Sequence, residues 1–285
     1  MLEVKIDYLL KEFDCFLCDV YGIIYDEAEL YPGVMDMLQE IKKTNKKIIF
    51  ISNAPRKSDI LTKRFMDFNI TEELYTSILT PGQMLYDDLI ANRPINFTGR
   101  YFAFGLENDI NLLDGKSNFT RVNNIENADF VVSFGMFDCD QKNSEIEKML
   151  NICLERNLEM LCLNPDKIVK RKKNTVDFLC AGHISFIYEK MGGKVTWYGK
   201  PYKDIYERAI RIAKTPISKI VCIGDALETD IYGAHNAGLQ SALVLTGLYD
   251  KLLDKNGKIS WQEIKDNCSK FHYPQPDFVL KDLCI

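Results

Sequence analysis

The stretch Asp14–Tyr25, read in one-letter code as DCFLCDVYGIIY, decides the fold predicted for this chain. Its apolar run Cys15–Cys18 is typical of a strand buried on both faces, because buried cysteines behave as small hydrophobic residues. Asp19 ends the run, and Gly22 follows three residues later. An unpaired buried carboxylate is costly, so an aspartate at the end of such a strand usually points into a crevice beside the sheet. The alternative is that Asp19 only caps the next turn.

The same pattern, a short extended run that ends in polar residues, recurs at Ile48–Ile51 before Ser52-Asn53, at VTWYG before Lys200-Pro201 and at Ile220–Ile223 before Gly224-Asp225. Helical patterns lie between these runs; Val34, Leu38 and Ile41, for example, fall on one helical face. Alternation of strands and helices predicts an α/β fold with a Rossmann-like, doubly wound parallel sheet. The carboxyl ends of its strands share one edge, so the polar residues are expected to converge there.

The chain is predicted to contain a discontinuous core domain, residues 1–78 and 193–285, with an inserted α/β domain at 79–192. Within the insertion, strands are predicted at Tyr101–Phe104, Phe130–Ser133 and Met160–Leu163, and helices at Gln83–Ala91, Asn143–Arg156 and Ile184–Met191. After it, the patterns predict a helix Tyr202–Ala213 with Ile205, Ala209 and Ile212 on its apolar face, a strand Leu239–Leu245 and a last edge strand Asp277–Leu280.

Composition narrows the class of protein. The 285 residues are 46% hydrophobic and 27% charged, which is ordinary for a soluble globular protein. A formal net charge of -5 argues against a nucleic-acid partner, and the basic run Lys170–Lys173 is predicted to be a solvated loop. The N-terminal MLEVKIDYLLKEF lacks the order of a signal peptide, and no stretch has the apolar length of a membrane span.

The cysteines and histidines do not form a metal site or a redox site by their spacing. Nine cysteines are scattered along the chain, and Cys15 and Cys18 are expected to face opposite sides of a strand. An odd number of largely buried thiols fits a reducing compartment, so we expect a cytoplasmic protein. His183 and His235 have no companion histidine at metal spacing and are interpreted as surface or packing residues.

Two or three carboxylates with a lysine and a hydroxyl form a metal-assisted phosphate site. Mg²⁺ accepts one or two carboxylates together with water and phosphate oxygens. Lysine neutralises phosphate charge, serine hydroxyls bind phosphate oxygens, and aspartate can act as a nucleophile. Each residue also has a plainer interpretation: Ser52-Asn53 as a helix N-cap, Lys200 as a surface lysine, and Asp230 as a first-turn residue that favours the helix dipole.

The ordered motifs Asp19-x-x-Gly22, Ser52-Asn53, Lys200-Pro201 and Gly224-Asp225-x₄-Asp230 resemble those of the haloacid dehalogenase superfamily of phosphatases. The inserted unit is similar to the large cap of the NagD-like (class IIA) branch. The resemblance implies that Asp19 is the nucleophile and Lys200 its stabilising cation. It further implies a phosphate site of Ser52, Asn53, Gly22 and Lys200, and a Mg²⁺ site of Asp19, Tyr21, Asp225 and Asp230.

One position departs from the superfamily pattern. The second aspartate that normally follows the nucleophile by two residues, as general acid and base, is Tyr21 in this chain. A phenol, with an ordinary pKa of about 10, can donate a proton but is a poor base at neutral pH. Weak hydrolysis of alkyl phosphates, better turnover of esters with good leaving groups and slow breakdown of a phosphorylated Asp19 are therefore expected. Tyr21 is alternatively a packing residue.

The leading hypothesis is a Mg²⁺-dependent phosphohydrolase that acts on a small phosphorylated metabolite through an aspartyl-phosphate, with the cap selecting the substrate. Candidate substrate-selecting residues are Arg56, Asn164 and Asp166. The rival is a catalytically impaired phosphate-binding protein whose cap moves with ligand occupancy. A dinucleotide-binding oxidoreductase lacks support, because no G-x-G-x-x-G follows the first strand. The sequence leaves a homo-oligomer open.

Overall fold

The computed structural model describes residues 1–26, 28–90, 99–105, 112–114, 118–135, 143–169, 178–254 and 256–285. The chain divides into two compact units. Unit 1 comprises Met1–Ser52, Asp59–Leu79 and Lys200–Ile285, and unit 2 comprises Asn53–Ser58 and Thr80–Gly199. The predicted basic loop Lys170–Lys173 lies outside the described residues. Within the described ranges, no helix is long and apolar enough to cross a membrane.

Strands and helices alternate along most of the described chain. The strands are β1 (Leu2–Glu3), β2 (Cys15–Cys18), β3 (Lys47–Ile51), β4 (Ser77–Leu79), β5 (Gly99–Phe104), β6 (Phe119–Val122), β7 (Phe130–Ser133), β8 (Met160–Cys162), β9 (Ile168–Val169), β10 (Phe178–Leu179), β11 (Val195–Trp197), β12 (Ile220–Gly224), β13 (Gln240–Val244) and β14 (Phe278–Leu280). The helices are α1 (Ile6–Glu12), α2 (Val34–Lys43), α3 (Ser58–Asp67), α4 (Pro81–Ile90), α5 (Asn143–Glu155), α6 (Ala181–Lys190), α7 (Lys203–Ala213), α8 (Tyr232–Asn236) and α9 (Trp261–Phe271).

Unit 1 contains a seven-stranded sheet in the order β1-β14-β13-β12-β2-β3-β4. Every neighbouring pair is parallel, which confirms the predicted Rossmann-like α/β class. The prediction that the last strand lies at an edge is wrong, because β1 pairs with β14 through the register Leu2↔Phe278 and takes the edge position. A two-residue strand at the start of the chain carries no periodic signal that could have predicted this pairing.

The central strands of this sheet are apolar and buried along their whole length, as expected for a parallel sheet covered on both faces. Helix α2 buries the predicted face with Val34, Leu38 and Ile41. Helix α7 differs from its prediction, because its buried face contains Ile205, Tyr206, Ala209 and Ala213 and is centred near Ala209. Ile212 therefore falls at the margin of that face and is exposed.

Unit 2 contains a five-stranded sheet in the order β11-β8-β7-β5-β6, also parallel throughout, and a separate antiparallel pair of β9 and β10. Helix α6 packs with β7, β8 and β11, and the buried side chains of α5 and α6 join one apolar cluster with Val131 and Met160. Strand β11 was assigned to the core segment 193–285 by the sequence prediction, yet it pairs with β8 as an edge of this second sheet. The predicted domain boundaries themselves stay a prediction.

Candidate active site

Strand β2 delivers Asp19 to the carboxyl edge of the unit 1 sheet. The Asp19 N–H donates to the Ile223 carbonyl oxygen at 2.8 Å, so the β2–β12 ladder continues one residue beyond β2. The residues that follow β12 lie directly beside it because the two strands are parallel neighbours. The sequence prediction that Asp19 and Asp225 converge at one sheet edge agrees with this register.

Lys200 joins two of the carboxylates. Its Nζ donates to Asp19 Oδ1 at 2.5 Å and to Asp230 Oδ1 at 2.7 Å, and the residue is only 3% exposed. Burial alone would lower the pKa of Lys200, but the carboxylates of Asp19 and Asp230 outweigh it and hold the pKa well above its ordinary value. Lys200 is therefore a buried, charged group, and its interpretation as a surface lysine is excluded.

Backbone N–H groups orient the other two carboxylates. Asp225 Oδ2 accepts from Leu248 N at 2.8 Å, and Asp230 Oδ2 accepts from Ala226 N at 3.1 Å. Asp230 lies in a five-residue π-helical turn, Leu227–Ile231, which is a geometry often found at functional sites. Its bond to the buried ammonium of Lys200 gives Asp230 a role in the cluster beyond any interaction with a helix dipole.

Asp19, Asp225 and Asp230 form a group that could hold a metal ion, because each offers an oxygen within 4.8 Å of the others. Burial raises the pKa of Asp225 well above its ordinary value, and the neighbouring carboxylates add to the effect. Burial also raises the pKa of Asp230 to about 7, against the opposing effect of Lys200. Three carboxylates around one ammonium leave an excess of negative charge, and hard oxygen donors of this kind suit a divalent cation.

Because Gly22 has no side chain, it leaves room for the carboxylate of Asp225. Gly22 has φ +88, and a Cβ at this residue would collide with the carboxylate of Asp225. Thr246 Oγ1 donates to the Gly22 carbonyl oxygen at 2.7 Å, and the Gly22 N–H donates to the Tyr25 carbonyl oxygen at 3.0 Å. Sequence reasoning missed Thr246 and Gly247. Both come shortly after the end of β13, just as Asp19 and Asp225 come after the ends of β2 and β12. A Cβ at Gly247 would also collide with Asp225. The phosphate-binding role of Gly22 stays a prediction.

Tyr21 packs in an aromatic cluster while keeping solvent contact. Its side chain is 39% exposed, and its ring meets that of Tyr25 edge-on at a centroid distance of 6.3 Å. Tyr25 in turn contacts Phe65 at 6.4 Å and Phe68 at 5.2 Å. The packing interpretation of Tyr21 thus has direct geometric support, and its assignment to the acid–base and metal sets stays a prediction.

Ser52 and Asn53 come directly after β3 and belong to different units. The Ser52 N–H donates to the Leu79 carbonyl oxygen at 3.0 Å in unit 1. In unit 2, Asn53 is 6% exposed and donates through Nδ2 to Asp166 Oδ1 at 2.8 Å. Helix α3 begins at Ser58, so neither residue occupies its N-cap position. Both remain candidates for phosphate binding.

The three candidate substrate-selecting residues all lie in unit 2. Asn164 and Asp166 follow β8, and Asn164 Oδ1 accepts from Asp166 N at 3.1 Å in a local turn. The main chain of Arg56 is held by a hydrogen bond, in which its carbonyl oxygen accepts from Thr80 Oγ1 at 2.6 Å. The structure brings Asn164 and Asp166 together with Asn53, a grouping that the sequence prediction did not contain.

A Rossmann-like sheet with a buried acidic cluster and a paired lysine at its carboxyl edge indicates a hydrolase with a parallel-sheet core. Comparison with known proteins leads to the same class. The Haloacid dehalogenase-like hydrolase family model matches residues 16–116, and the HAD-hydrolase-like model matches residues 197–284. Ribonucleotide monophosphatase NagD of Escherichia coli (strain K12) is 24% identical over 234 residues, which cover 81% of this chain and 87% of that protein.

Two further similarities extend over still more of the chain. The 4-nitrophenylphosphatase of Schizosaccharomyces pombe is 25% identical over 275 residues, 88% of this chain and 90% of that protein. A crystal structure of a hydrolase of the haloacid dehalogenase-like family from Brucella suis 1330 matches with a TM-score of 0.78 and 27% identity, and it covers 99% of this chain and 100% of its own. The chain belongs to the haloacid dehalogenase superfamily of hydrolases, as a phosphatase-type member consistent with the NagD-like branch.

Proposed function

We propose that this protein is a Mg²⁺-dependent phosphohydrolase that releases phosphate from a small phosphorylated metabolite through an aspartyl-phosphate on Asp19. The observation that carries the proposal is the buried ammonium of Lys200, bonded to both Asp19 and Asp230. The hydrogen bond from Lys200 holds the carboxylate of Asp19 in one orientation, as a nucleophile requires. The phosphate ester is then proposed to bind, and Asp19 to attack it, at the carboxyl edge of the unit 1 sheet.

In the first step a carboxylate oxygen of Asp19 attacks phosphorus, the ester P–O bond breaks, and the leaving group departs with the bonding electron pair. In the second step water attacks the phosphorus of the aspartyl-phosphate, and the bond between phosphorus and the Asp19 oxygen breaks. Inorganic phosphate is released and the carboxylate is restored. The Lys200 ammonium stabilises negative charge near Asp19 in both steps, and the Ser52 hydroxyl is proposed to bind a phosphoryl oxygen.

Asp19, Asp225 and Asp230 would hold the metal ion. A bound divalent cation supplies positive charge that offsets the excess of the three carboxylates and of the phosphoryl group. The fit rests on the donor set itself, since the three carboxylates offer oxygens that lie within 4.8 Å of one another. Magnesium is the proposed ion because it is bound by few carboxylates and completed by water and phosphate oxygens.

The names of the two curated relatives, a ribonucleotide monophosphatase and a 4-nitrophenylphosphatase, support a small phosphate ester as the substrate. Arg56, Asn164 and Asp166 stay candidates for its selection. The described cysteines are free thiols, all buried except Cys284, which supports a reducing compartment such as the cytoplasm as the proposed location.

Tyr21 favours a second candidate function, a protein that binds phosphate compounds with Mg²⁺ but hydrolyses them slowly. The residue lacks the carboxyl group that would protonate the leaving group and activate water, and its ring packs against Tyr25. A positioned acid–base group typically contributes about 10²–10⁴ in rate. The two candidate functions therefore differ in the expected rate of hydrolysis and not in the expected binding of phosphate.

The test is phosphate release from 4-nitrophenyl phosphate in Mg²⁺ and in chelator, for the wild type and for Asp19→Asn. Release that needs both the metal and Asp19 supports the hydrolase. Slow or absent release, together with Mg²⁺-dependent binding of tungstate as a phosphate mimic by the wild type, supports the binding protein. A wild type that does neither refutes both candidates.

A further inference from the structure

Asn53, Asn164, Asp166 and Gly199 form a contact group inside unit 2, which we call the Asn53 cluster. Asn53 and Asn164 are 6% and 7% exposed. Asn53 Nδ2 donates to Asp166 Oδ1 at 2.8 Å across 113 residues of chain, and Asp166 N donates to Asn164 Oδ1 at 3.1 Å. The Asx-type turn of Asn164 orients Asp166, and the carboxylate of Asp166 in turn orients the Asn53 amide.

Gly199 closes the cluster on the other side of the same amide. It has φ +107, and a Cβ built on it would lie 2.7 Å from Asn53 Oδ1, 2.8 Å from Pro81 Cγ and 3.1 Å from Pro165 Cδ. Only a glycine leaves room for the Asn53 side chain here without strain. The nitrogen of the Asn53 amide is therefore held by Asp166, and its oxygen lies in the space that the missing side chain of Gly199 leaves open.

The cluster matters for the site because of the residues that neighbour Asn53 and Gly199 in the chain. Asn53 is the next residue after Ser52 in the chain, and Gly199 is the residue before Lys200. The cluster thus ties together the residue that follows the proposed phosphate-binding hydroxyl and the residue that precedes the lysine of the acidic site. A displacement of about 1 Å in catalytic geometry can cost roughly 10²-fold in rate, so the fixing of these two main-chain positions is consequential.

We propose that Asp166 is a positioning residue which acts through the Asn53 amide on the main chain at Ser52 and at Lys200. The proposal rests on the hydrolase function proposed above and reassigns two residues within it. Asn53 was predicted to bind phosphate and Asp166 to select substrate, whereas a shared positioning role predicts that either change affects all substrates alike. It also predicts that the hydrogen bond between the two side chains, not the identity of either, is what the enzyme needs.

The experiment is a swap of the two side chains. Asn53→Asp places two carboxylates face to face and is expected to lower kcat by about 10²-fold, with the same factor for 4-nitrophenyl phosphate and for an alkyl phosphate. Asp166→Asn keeps an acceptor for Asn53 and is expected to retain most activity. The double variant N53D/D166N restores one donor and one acceptor with the direction of the bond reversed, and it is expected to recover most of the loss in kcat at an unchanged KM.

A matched control is Asp129→Asn, also in unit 2, where the carboxylate pairs with Arg100 at an exposed position. It should leave kcat and KM within about twofold of wild type, as expected for a surface pair. Failure of N53D/D166N to recover kcat would overturn the proposal. So would a loss in Asn53→Asp confined to KM, which would indicate a phosphate ligand, or a loss in Asp166→Ala confined to one substrate, which would indicate substrate selection.

Failure of the hydrolase function is recognised separately, by a wild type whose phosphate release equals that of Asp19→Asn. The swap is then measured by Mg²⁺-dependent tungstate binding, for which Asn53→Asp should weaken affinity and the double variant should restore it. Unchanged tungstate affinity in Asn53→Asp rejects the positioning role, and the lack of tungstate binding by the wild type rejects it together with the hydrolase.

Discussion

Tyr21 is the residue whose chemistry differs most from the expectation for a haloacid dehalogenase-type phosphatase. We predict that Tyr21→Asp raises kcat/KM for an alkyl phosphate by about 10²–10⁴, because a carboxylic acid two residues after Asp19 can protonate a poor leaving group. An aryl phosphate, whose leaving group needs no proton, should gain much less. The ratio of the two kcat/KM values measures the effect directly.

The control for this substitution is Tyr21→Phe, which keeps the edge-on ring contact with Tyr25 and removes only the hydroxyl. If the ring serves packing, this variant should match the wild type on both substrates. Alkyl phosphate turnover that is unaffected by Tyr21→Asp would show that another group already supplies the proton. The assignment of a missing acid to position 21 would then be wrong.

Lys200 compensates buried negative charge, so its loss should lower the free energy of unfolding as well as the catalytic rate. Lys200→Met keeps the length of the side chain but leaves Asp19, Asp225 and Asp230 without their ammonium. We expect the free energy of unfolding in chelator to fall by about 3–5 kcal/mol, the usual effect of removing one partner from a buried ion pair. Urea denaturation in a Trp197→Phe background, followed by the fluorescence of Trp261 in unit 1, measures it.

The matched control lies three residues further along the chain. Lys203 pairs with Glu207 at 3.0 Å, but both side chains are exposed. Lys203→Met should therefore change the free energy of unfolding by no more than about 0.5 kcal/mol. Equal effects of the two substitutions would contradict the view that burial gives Lys200 its importance.

At the scale of elements, the loop after β2 depends on Gly22 for two separable reasons. Gly22→Ala imposes both a positive φ on an alanine and a collision with the Asp225 carboxylate. Gly238 has φ +72 and open space around a Cβ, so Gly238→Ala imposes the backbone cost alone, roughly 1–2 kcal/mol. We expect Gly22→Ala to lower the free energy of unfolding by a further 1–3 kcal/mol or so, as overpacking does, and to weaken Mg²⁺ binding.

Urea denaturation and Mg²⁺ titration of both variants provide the comparison. Gly238→Ala should bind Mg²⁺ as tightly as the wild type does, since it lies outside the acidic cluster. Identical stability losses in the two variants would mean that Asp225 moves aside without cost. Gly22 would then be required only for its φ.

The elements predicted well from sequence are those with a long, one-sided pattern. Helix α5 was predicted to within one residue of its bounds, because its apolar residues recur at helical spacing over 13 residues. Helices α1 and α9 and the strands β1, β4, β6, β9 and β10 were not predicted. The strands have only two to four residues each, too few for a periodic signal, and α9 mixes aromatic and charged side chains. Their existence depends on partners that are distant in the chain.

At the scale of the whole molecule, the acidic cluster was predictable because the parallel topology alone brings strand ends to one edge. Asp19 and Asp225 needed no further information. Lys200 follows β11, which belongs to the other sheet, so the rule for strand ends does not explain its place beside Asp19. The Asn53–Asp166 bond needed far more, because it joins residues 113 positions apart through side-chain orientations that no spacing rule describes. The roles of Thr246 and Gly247 likewise depend on the path of a loop, which local sequence determines poorly.

Metal binding should couple to the folding of unit 1, since all three candidate ligands lie in it. A ligand that binds only the folded state stabilises it by RT ln(1 + [L]/Kd), about 2.7 kcal/mol at one hundred times Kd. Trp261 packs against the apolar cluster that contains Leu227 and Ile231, the ends of the turn that carries Asp230. In a Trp197→Phe background it is the sole tryptophan and reports on this region.

We predict that the urea midpoint reported by Trp261 rises with Mg²⁺ concentration and does not rise with KCl at equal ionic strength, because site binding differs from screening. Asp225→Asn can keep an acceptor for the Leu248 N–H while removing one carboxylate charge, so it should abolish the dependence on Mg²⁺ and leave the fold intact. A midpoint that is equal in Mg²⁺ and in chelator would refute the metal site. A shift of the same size in Asp225→Asn would place the ion elsewhere in the protein, since a buried carboxylate that binds the cation must contribute to its affinity.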